Sequence, residues 1–198
     1  MKILLTGASS YLGEHVVRAL CARGELVVVT QRRAAPVAAE LGLEQHLGDI
    51  TDYNMLTDAC RGVDRVIHAA AKVGVVGTRR QFVDTNVFGT AALLSAAREA
   101  GVGGLIHISS PSVAHTGNPI VGGGAEPANQ RTARGHYSQT KAAAERLVLL
   151  ANSAQFPTVA IRPHLVWGPG DTQLVARIVD PLRVRVGSDQ GLMKVQPA

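Results

Sequence analysis

Residues 2–13 read KILLTGASSYLG, and the change of character inside this stretch decides the fold. KILLT, at 2–6, is a short apolar run of the length of a buried strand, whereas from Tyr11 to Cys21 the apolar residues recur at helical spacing, with Gly24 closing the helix. Gly7 and Gly13 lie between them, with Ser9, Ser10, Tyr11 and Leu12 completing the turn. A strand that passes directly into a helix leaves the first N–H groups of that helix facing outward. Such a turn is a seat for an anion, and a pyrophosphate fits it.

The alternation continues outward from this unit. ELVVVT at 25–30 predicts a second strand, residues 44–47 a third, 52–61 a helix, RVIHAA at 65–70 a strand and 79–100 a long helix. GLIHISS at 104–110 predicts another strand, and the Gly-, Pro- and Asn-rich residues 115–135 a surface loop of the length that carries function. A helix over 137–151 and a last strand, TVAIRP at 158–163, complete the series. Strands and helices alternating at this spacing predict an α/β fold, a doubly wound parallel sheet of the Rossmann type. The composition agrees, because 46% of residues are hydrophobic but only 4% aromatic, which demands an aliphatic core packed closely between helices and a parallel sheet. The 198 residues suit a single domain burying roughly 70% of its unfolded surface. It is expected over residues 1–180, with 181–198 as an irregular tail.

The formal charge of +5 comes from scattered basic residues with no aromatic platform, so nucleic acid is not the expected partner. Positive charge does favour capture of a polyanionic small molecule. Cys21 and Cys60 have neither metal-ligand nor Cys-x-x-Cys spacing, and they read as reduced thiols with no metal. No apolar run reaches the length of a signal peptide or membrane span, so the expected location is cytoplasmic.

The end of the second strand bears on which dinucleotide is bound. An acidic residue there would hydrogen-bond a ribose 2′-hydroxyl and select NAD, but the chain reads Thr30-Gln31-Arg32-Arg33. Two guanidinium groups suit a 2′-phosphate, so NADP is expected, with NAD as the alternative. Further along, Tyr137 and Lys141 open a helix four residues apart and so share one face. A phenol titrates near 10 and is a poor acid or base at neutral pH unless a cation stabilises its anion. Carbonyl reduction needs a hydride, a proton for the developing alkoxide and a hydroxyl to hold the carbonyl. Ser110, ending the fifth strand, suits the last task, with Ser109 and Ser112 as alternatives.

TGASSYLG resembles the TGxxGxxG fingerprint of extended short-chain dehydrogenases, with Ser10 in place of the middle glycine. A strand-end serine, a long loop and Tyr-x-x-x-Lys on a helix resemble the catalytic triad of that family. ISSPSVA, YSQTKAAAE and RPHLVWGPGD are similar to segments of its 3β-hydroxysteroid dehydrogenase-like branch, which includes reductases of 3-oxo acids and sterols. The resemblance implies catalysis by Ser110, Tyr137 and Lys141, with Ser109 also near the cofactor. It implies an adenine held by Asp49 and Ile50, and a cofactor passing close to Ala69, Ala70 and Ala71. It further implies Asn86 shaping the site, and Pro163, with His164 beside it, near the nicotinamide. The implied activity interconverts 3-hydroxy and 3-oxo groups on a hydrophobic small molecule. Nucleotide-sugar epimerisation and a catalytically idle dinucleotide-binding module are the alternatives, and a homodimer is compatible with any of these. Family members usually continue well beyond this length, so the substrate-binding subdomain is expected to be largely missing.

Overall fold

The computed structural model describes residues 1–114 and 127–171. Met1–His164 form one compact unit, and Leu165–Asp171, the described part of a second, are treated by themselves. Most of the expected 115–135 loop, the boundary at residue 180 and the tail 181–198 lie outside the described residues.

Six strands make one parallel sheet: β1 (Lys2–Thr6), β2 (Leu26–Gln31), β3 (Glu44–Leu47), β4 (Arg65–His68), β5 (Leu105–Ile108) and β6 (Thr158–Ile161). Their order is β3-β2-β1-β4-β5-β6, the doubly wound arrangement expected from the sequence. The helices are α1 (Tyr11–Ala22), α2 (Pro36–Glu40), α3 (Tyr53–Ala59), α4 (Arg79–Val83), α5 (Gly89–Glu99) and α6 (Gly135–Leu150).

Apolar residues cover both faces of the central strands, as a sheet sandwiched between helices requires. Leu4, Val28, Val66 and Leu105 lie in the cluster that includes Leu56 of α3, Leu93 of α5 and Val148 of α6. Leu5, Val27 and Val29 lie in the opposite cluster with Val17 of α1 and Val37 of α2. Each fully buried Leu or Val contributes roughly 1.5–3 kcal/mol relative to leaving it in water. The two clusters therefore fix strand register as well as stability.

Several boundaries differ from those read in the sequence. The strands expected over 65–70, 104–110 and 158–163 stop at His68, Ile108 and Ile161, because the residues that follow leave the sheet to line its C-terminal edge. The single helix expected over 79–100 is three pieces, α4, a π turn at Asp84–Phe88 and α5. Its backbone stays right-handed at the caps on either side, so side-chain periodicity carries no sign of the wider turn. Helix α2, absent from the reading, starts with Pro36 in its first turn, where a missing N–H costs nothing. Among the described residues, no helix is long and apolar enough to cross a membrane.

Candidate active site

Parallel strands all end on one side of the sheet, so this topology gathers Gly7, Arg32, Ala69–Ala71 and Ser110 along the same edge. The strand order reverses between β1 and β4, which opens a crevice there. Gly7 hydrogen-bonds from its N–H to Thr30 O at 2.8 Å and has φ +82°, a conformation that strains any side chain. A Cβ on Gly7 would come within 2.8 Å of Ala70 N, and one on Gly13 would collide with Gly7 O. The small residues here thus let β1, α1 and the chain after β4 approach one another.

Ser10 resolves the imperfect glycine pattern. Its side chain turns inward as the N-cap of α1, donating to Gly7 O at 2.9 Å and accepting from Gly13 N at 3.0 Å. The first-turn N–H groups of Tyr11 and Leu12 have no intrahelical acceptor.

Arg32 and Arg33 are exposed just past β2, as the NADP expectation requires. Gln31 is not: its side chain is buried and donates to Gln45 Oε1 at 2.8 Å. Asp49 is exposed, with its carboxylate accepting from the Thr51 N–H and hydroxyl, while Ile50 sits in the core. Ala69 and Ala70 are tied to β1 through Thr6 O and Thr6 Oγ1. Ala71 is half-buried beside them.

Asn86 lies in the π turn, 2% exposed. Its Oδ1 accepts from Lys72 N at 2.7 Å, and its Nδ2 donates to Lys72 O at 3.1 Å and Thr140 Oγ1 at 3.0 Å. Its amide donors are therefore engaged within the protein, and it clamps the segment after β4 to helix α6. Asn86→Ala is expected to cost about 1–3 kcal/mol by orphaning the buried groups it satisfies, measurable as a lowered urea midpoint.

The three candidate serines separate by position. Ser109 is buried and donates to the Glu145 carboxylate, facing away from the edge. Ser110 is close enough to the Tyr137 phenol to act on its titration, and its Oγ lies 2.9 Å from Ser112 Oγ. Ser112 is thus a neighbour of the pair, and Ser110 is the serine that meets the tyrosine. Burial pushes the Tyr137 phenol above its ordinary value near 10, and the bond from Ser110 pulls it partly back. At neutral pH the phenol keeps its proton and can donate it. Lys141 is 2% exposed, with Nζ donating to Ile108 O and lying 3.2 Å from His107 Nε2. Loss of hydration lowers its ammonium to about 7, against an opposing pull from Glu145.

Two buried features escaped the sequence reading. Glu145, 1% exposed, binds Arg162 through Nε at 3.0 Å and through Nη2, joining α6 to the end of β6 next to Pro163. Its place two turns along α6 from Tyr137 was the available signal. The other is a pair of buried histidines, His68 and His107, whose rings lie 5.1 Å apart. The repeated Ile-His at the ends of RVIHAA and GLIHISS marked them. His164 is exposed and Pro163 half-buried. In the separate stretch Leu165–Asp171, Asp171 N bonds Gly168 O at 3.0 Å in a turn.

Comparison with known proteins agrees with this geometry. The model of the 3-beta hydroxysteroid dehydrogenase/isomerase family matches residues 4–191. A 2-alkyl-3-oxoalkanoate reductase of Stenotrophomonas maltophilia is 40% identical over 185 residues, which cover 92% of this chain and 56% of that protein. A solved short-chain dehydrogenase/reductase superfamily protein from Agrobacterium tumefaciens with bound NAD has a TM-score of 0.72 at 31% identity, covering 82% of this chain and 48% of that one. MoeE5 in complex with UDP-glucuronic acid and NAD gives a TM-score of 0.79 at 30% identity, covering 93% and 62%. The chain spans about half the length of the curated relatives it matches. The chain belongs to the 3-beta hydroxysteroid dehydrogenase/isomerase family of extended short-chain dehydrogenases.

Proposed function

We propose that this chain binds NADP(H) and interconverts a 3-hydroxy and a 3-oxo group on a hydrophobic small molecule, with a 3-oxo acid or a steroid as the substrate class. The observation that carries this reading is the placing of Ser110, just past β5, beside the Tyr137 phenol at the sheet edge, with Lys141 one helical turn further along α6. The residues fit a dinucleotide: the turn at Gly7–Gly13 offers backbone donors at a helix N-terminus, and no carboxylate stands among Gln31, Arg32 and Arg33. The resemblance to a relative named for 3-oxoalkanoate reduction supports the substrate class.

When bound, the dinucleotide supplies the hydride for reduction and accepts it for oxidation. The chain's own residues handle the proton. Ser110 donates to the substrate carbonyl oxygen and draws electron density from the carbon. As that carbon gains the hydride, the C=O π pair moves to oxygen, which takes the Tyr137 phenolic proton. The phenolate left behind is reprotonated from solvent, and Lys141 supplies positive charge one turn away. Adding NADPH with panels of 3-oxosteroids and 3-oxo acids tests the proposal, and the absence of any turnover that depends on Tyr137 rejects it.

Cofactor preference has its own test. Replacing Arg32 and Arg33 together by Ala is expected to lower the NADPH-to-NADH affinity ratio about ten- to a hundredfold, equivalent to charge-assisted hydrogen bonds of roughly 1.5–3 kcal/mol. Calorimetric titration with both nucleotides measures it, and an unchanged ratio refutes the assignment. The likeness to MoeE5 favours a second reading, oxidation and re-reduction of a nucleotide sugar on a retained cofactor. Saturation-transfer signals from a nucleotide sugar, without reduction of any carbonyl in the panels, would select that reading.

A further inference from the structure

A row of buried polar side chains runs beneath the C-terminal edge of the sheet. Thr30, Thr6, His68 and His107 are paired in register across β2, β1, β4 and β5. Each is 0–1% exposed. Strand alternation puts them on the face that carries Leu4, Val28, Val66 and Leu105, and hence under α3, α5 and α6. One further step along that face, apolar packing gives way to hydrogen bonding.

The hydrogen bonds fix where the protons are. Thr90 Oγ1 donates to Asn86 O at 2.7 Å, so it accepts from His68 Nε2 at 2.9 Å. A neutral imidazole carries one N–H, so His68 Nδ1 accepts from the Thr6 hydroxyl at 2.8 Å, whose oxygen accepts from Ala70 N at 3.0 Å. Burial, reinforced by Lys141, lowers His68 to about 3, so it is neutral. The same causes, in the same order, hold His107 well below its ordinary value, with His68 adding to them.

Lys141 meets the end of this row. His107 faces it from β5, His68 stands behind on β4, and Glu145 lies one turn along its own helix. Its Nζ has two acceptors within hydrogen-bond distance among the described residues, Ile108 O and His107 Nε2. His107 Nδ1 is buried and, among the described residues, has no partner. We propose that His107 is the positioning residue of Lys141: a neutral imidazole protonated on Nδ1, its Nε2 accepts from Lys141 Nζ and, with the Ile108 carbonyl, fixes that nitrogen under the end of β5. A lysine side chain has many accessible rotamers, and two acceptors hold it in one place. The imidazole can accept only while uncharged, and its burial keeps it so. By stabilising the ammonium against loss of hydration, His107 also keeps the lysine able to exchange a proton near neutral pH. The role rests on the reading of Tyr137 and Lys141 as the proton-handling pair.

The test is a titration of Lys141 by the ¹³Cε signal of labelled lysine in the full chain without nucleotide, for wild type, His107→Leu and His107→Gln. The wild-type midpoint is expected near 7. Loss of the acceptor in His107→Leu is expected to lower it by about one unit, a tenfold change in acidity, and the amide oxygen of His107→Gln is expected to restore it. An unchanged midpoint in His107→Leu, or no restoration in folded His107→Gln, overturns the proposal. Should the leucine variant not fold, imidazole ¹⁵N shifts of the wild type decide: an N–H on Nδ1 with bare Nε2 supports the role, and the reverse tautomer overturns it. None of these readouts needs turnover. Failure of carbonyl reduction therefore removes the proposed function and leaves the His107–Lys141 relation to stand or fall separately.

Discussion

Tyr137→Phe is expected to lower the rate of NADPH-dependent carbonyl reduction about 10²–10⁴-fold, the range over which a positioned acid or base contributes. Only the hydroxyl is removed, while the ring keeps its half-buried place on α6. Nucleotide affinity should therefore hardly change. In the proposed reaction the phenol is the proton donor, because burial keeps it protonated at neutral pH. Single-turnover measurement with saturating NADPH separates the chemical step from binding. A variant that reduces substrate at the wild-type rate would show that the proton comes from elsewhere, with Ser110 or bound water as the source. A variant that loses nucleotide binding as well would show that the tyrosine holds the cofactor more than it handles the proton.

The largest effect on stability is expected at Glu145. Its carboxylate is 1% exposed and accepts from Arg162 and Ser109, so Glu145→Gln removes a buried negative charge from beside a mostly buried guanidinium. Breaking a buried pair costs about 3–5 kcal/mol, and the lower end is expected because the Arg162 side chain keeps 18% of its exposure. Hydrogen bonds from Arg162 and Ser109, with the guanidinium charge, outweigh burial and hold the Glu145 carboxyl below the usual carboxylate value. The pair's contribution is thus fully present above the unfolded value of about 4.3 and is lost as pH falls through the lower folded value. Urea denaturation across pH should show wild type and Glu145→Gln separated at pH 7 and converging as pH falls through the folded value, where the glutamate becomes neutral like glutamine. A separation that persists in acid would place the effect in packing instead of charge.

Both predictions concern α6, and the helix shows how far sequence reading reaches. Tyr137 and Lys141 were legible because four-residue spacing puts any such pair on one helix face, whatever surrounds it. Glu145 continues that face, and its burial is made tolerable by Arg162, just past β6, together with Ser109, just past β5. Asn86 was expected from the resemblance to shape the site, and the clamp it makes between Lys72 and Thr140 depends on a π turn that leaves no trace in periodicity. Ser10 looked like a defect in a glycine pattern, and its hydroxyl instead completes the turn by capping α1.

The sequence by itself determined the alternation of strands and helices, the strand-to-helix turn at Gly7–Gly13, the order of Ser110, Tyr137 and Lys141, and the absence of a carboxylate after β2. These depend on local spacing, and local spacing survives in any fold. Tertiary structure alone decided which of three serines meets the tyrosine, what Lys141 touches, and why two histidines and a glutamate are buried. Those outcomes depend on register across the sheet, where Thr6, His68 and His107 from β1, β4 and β5 come to lie side by side. A chain cannot announce such neighbours, because each strand's alternation fixes which way a side chain faces and only the pairing of strands fixes what it faces.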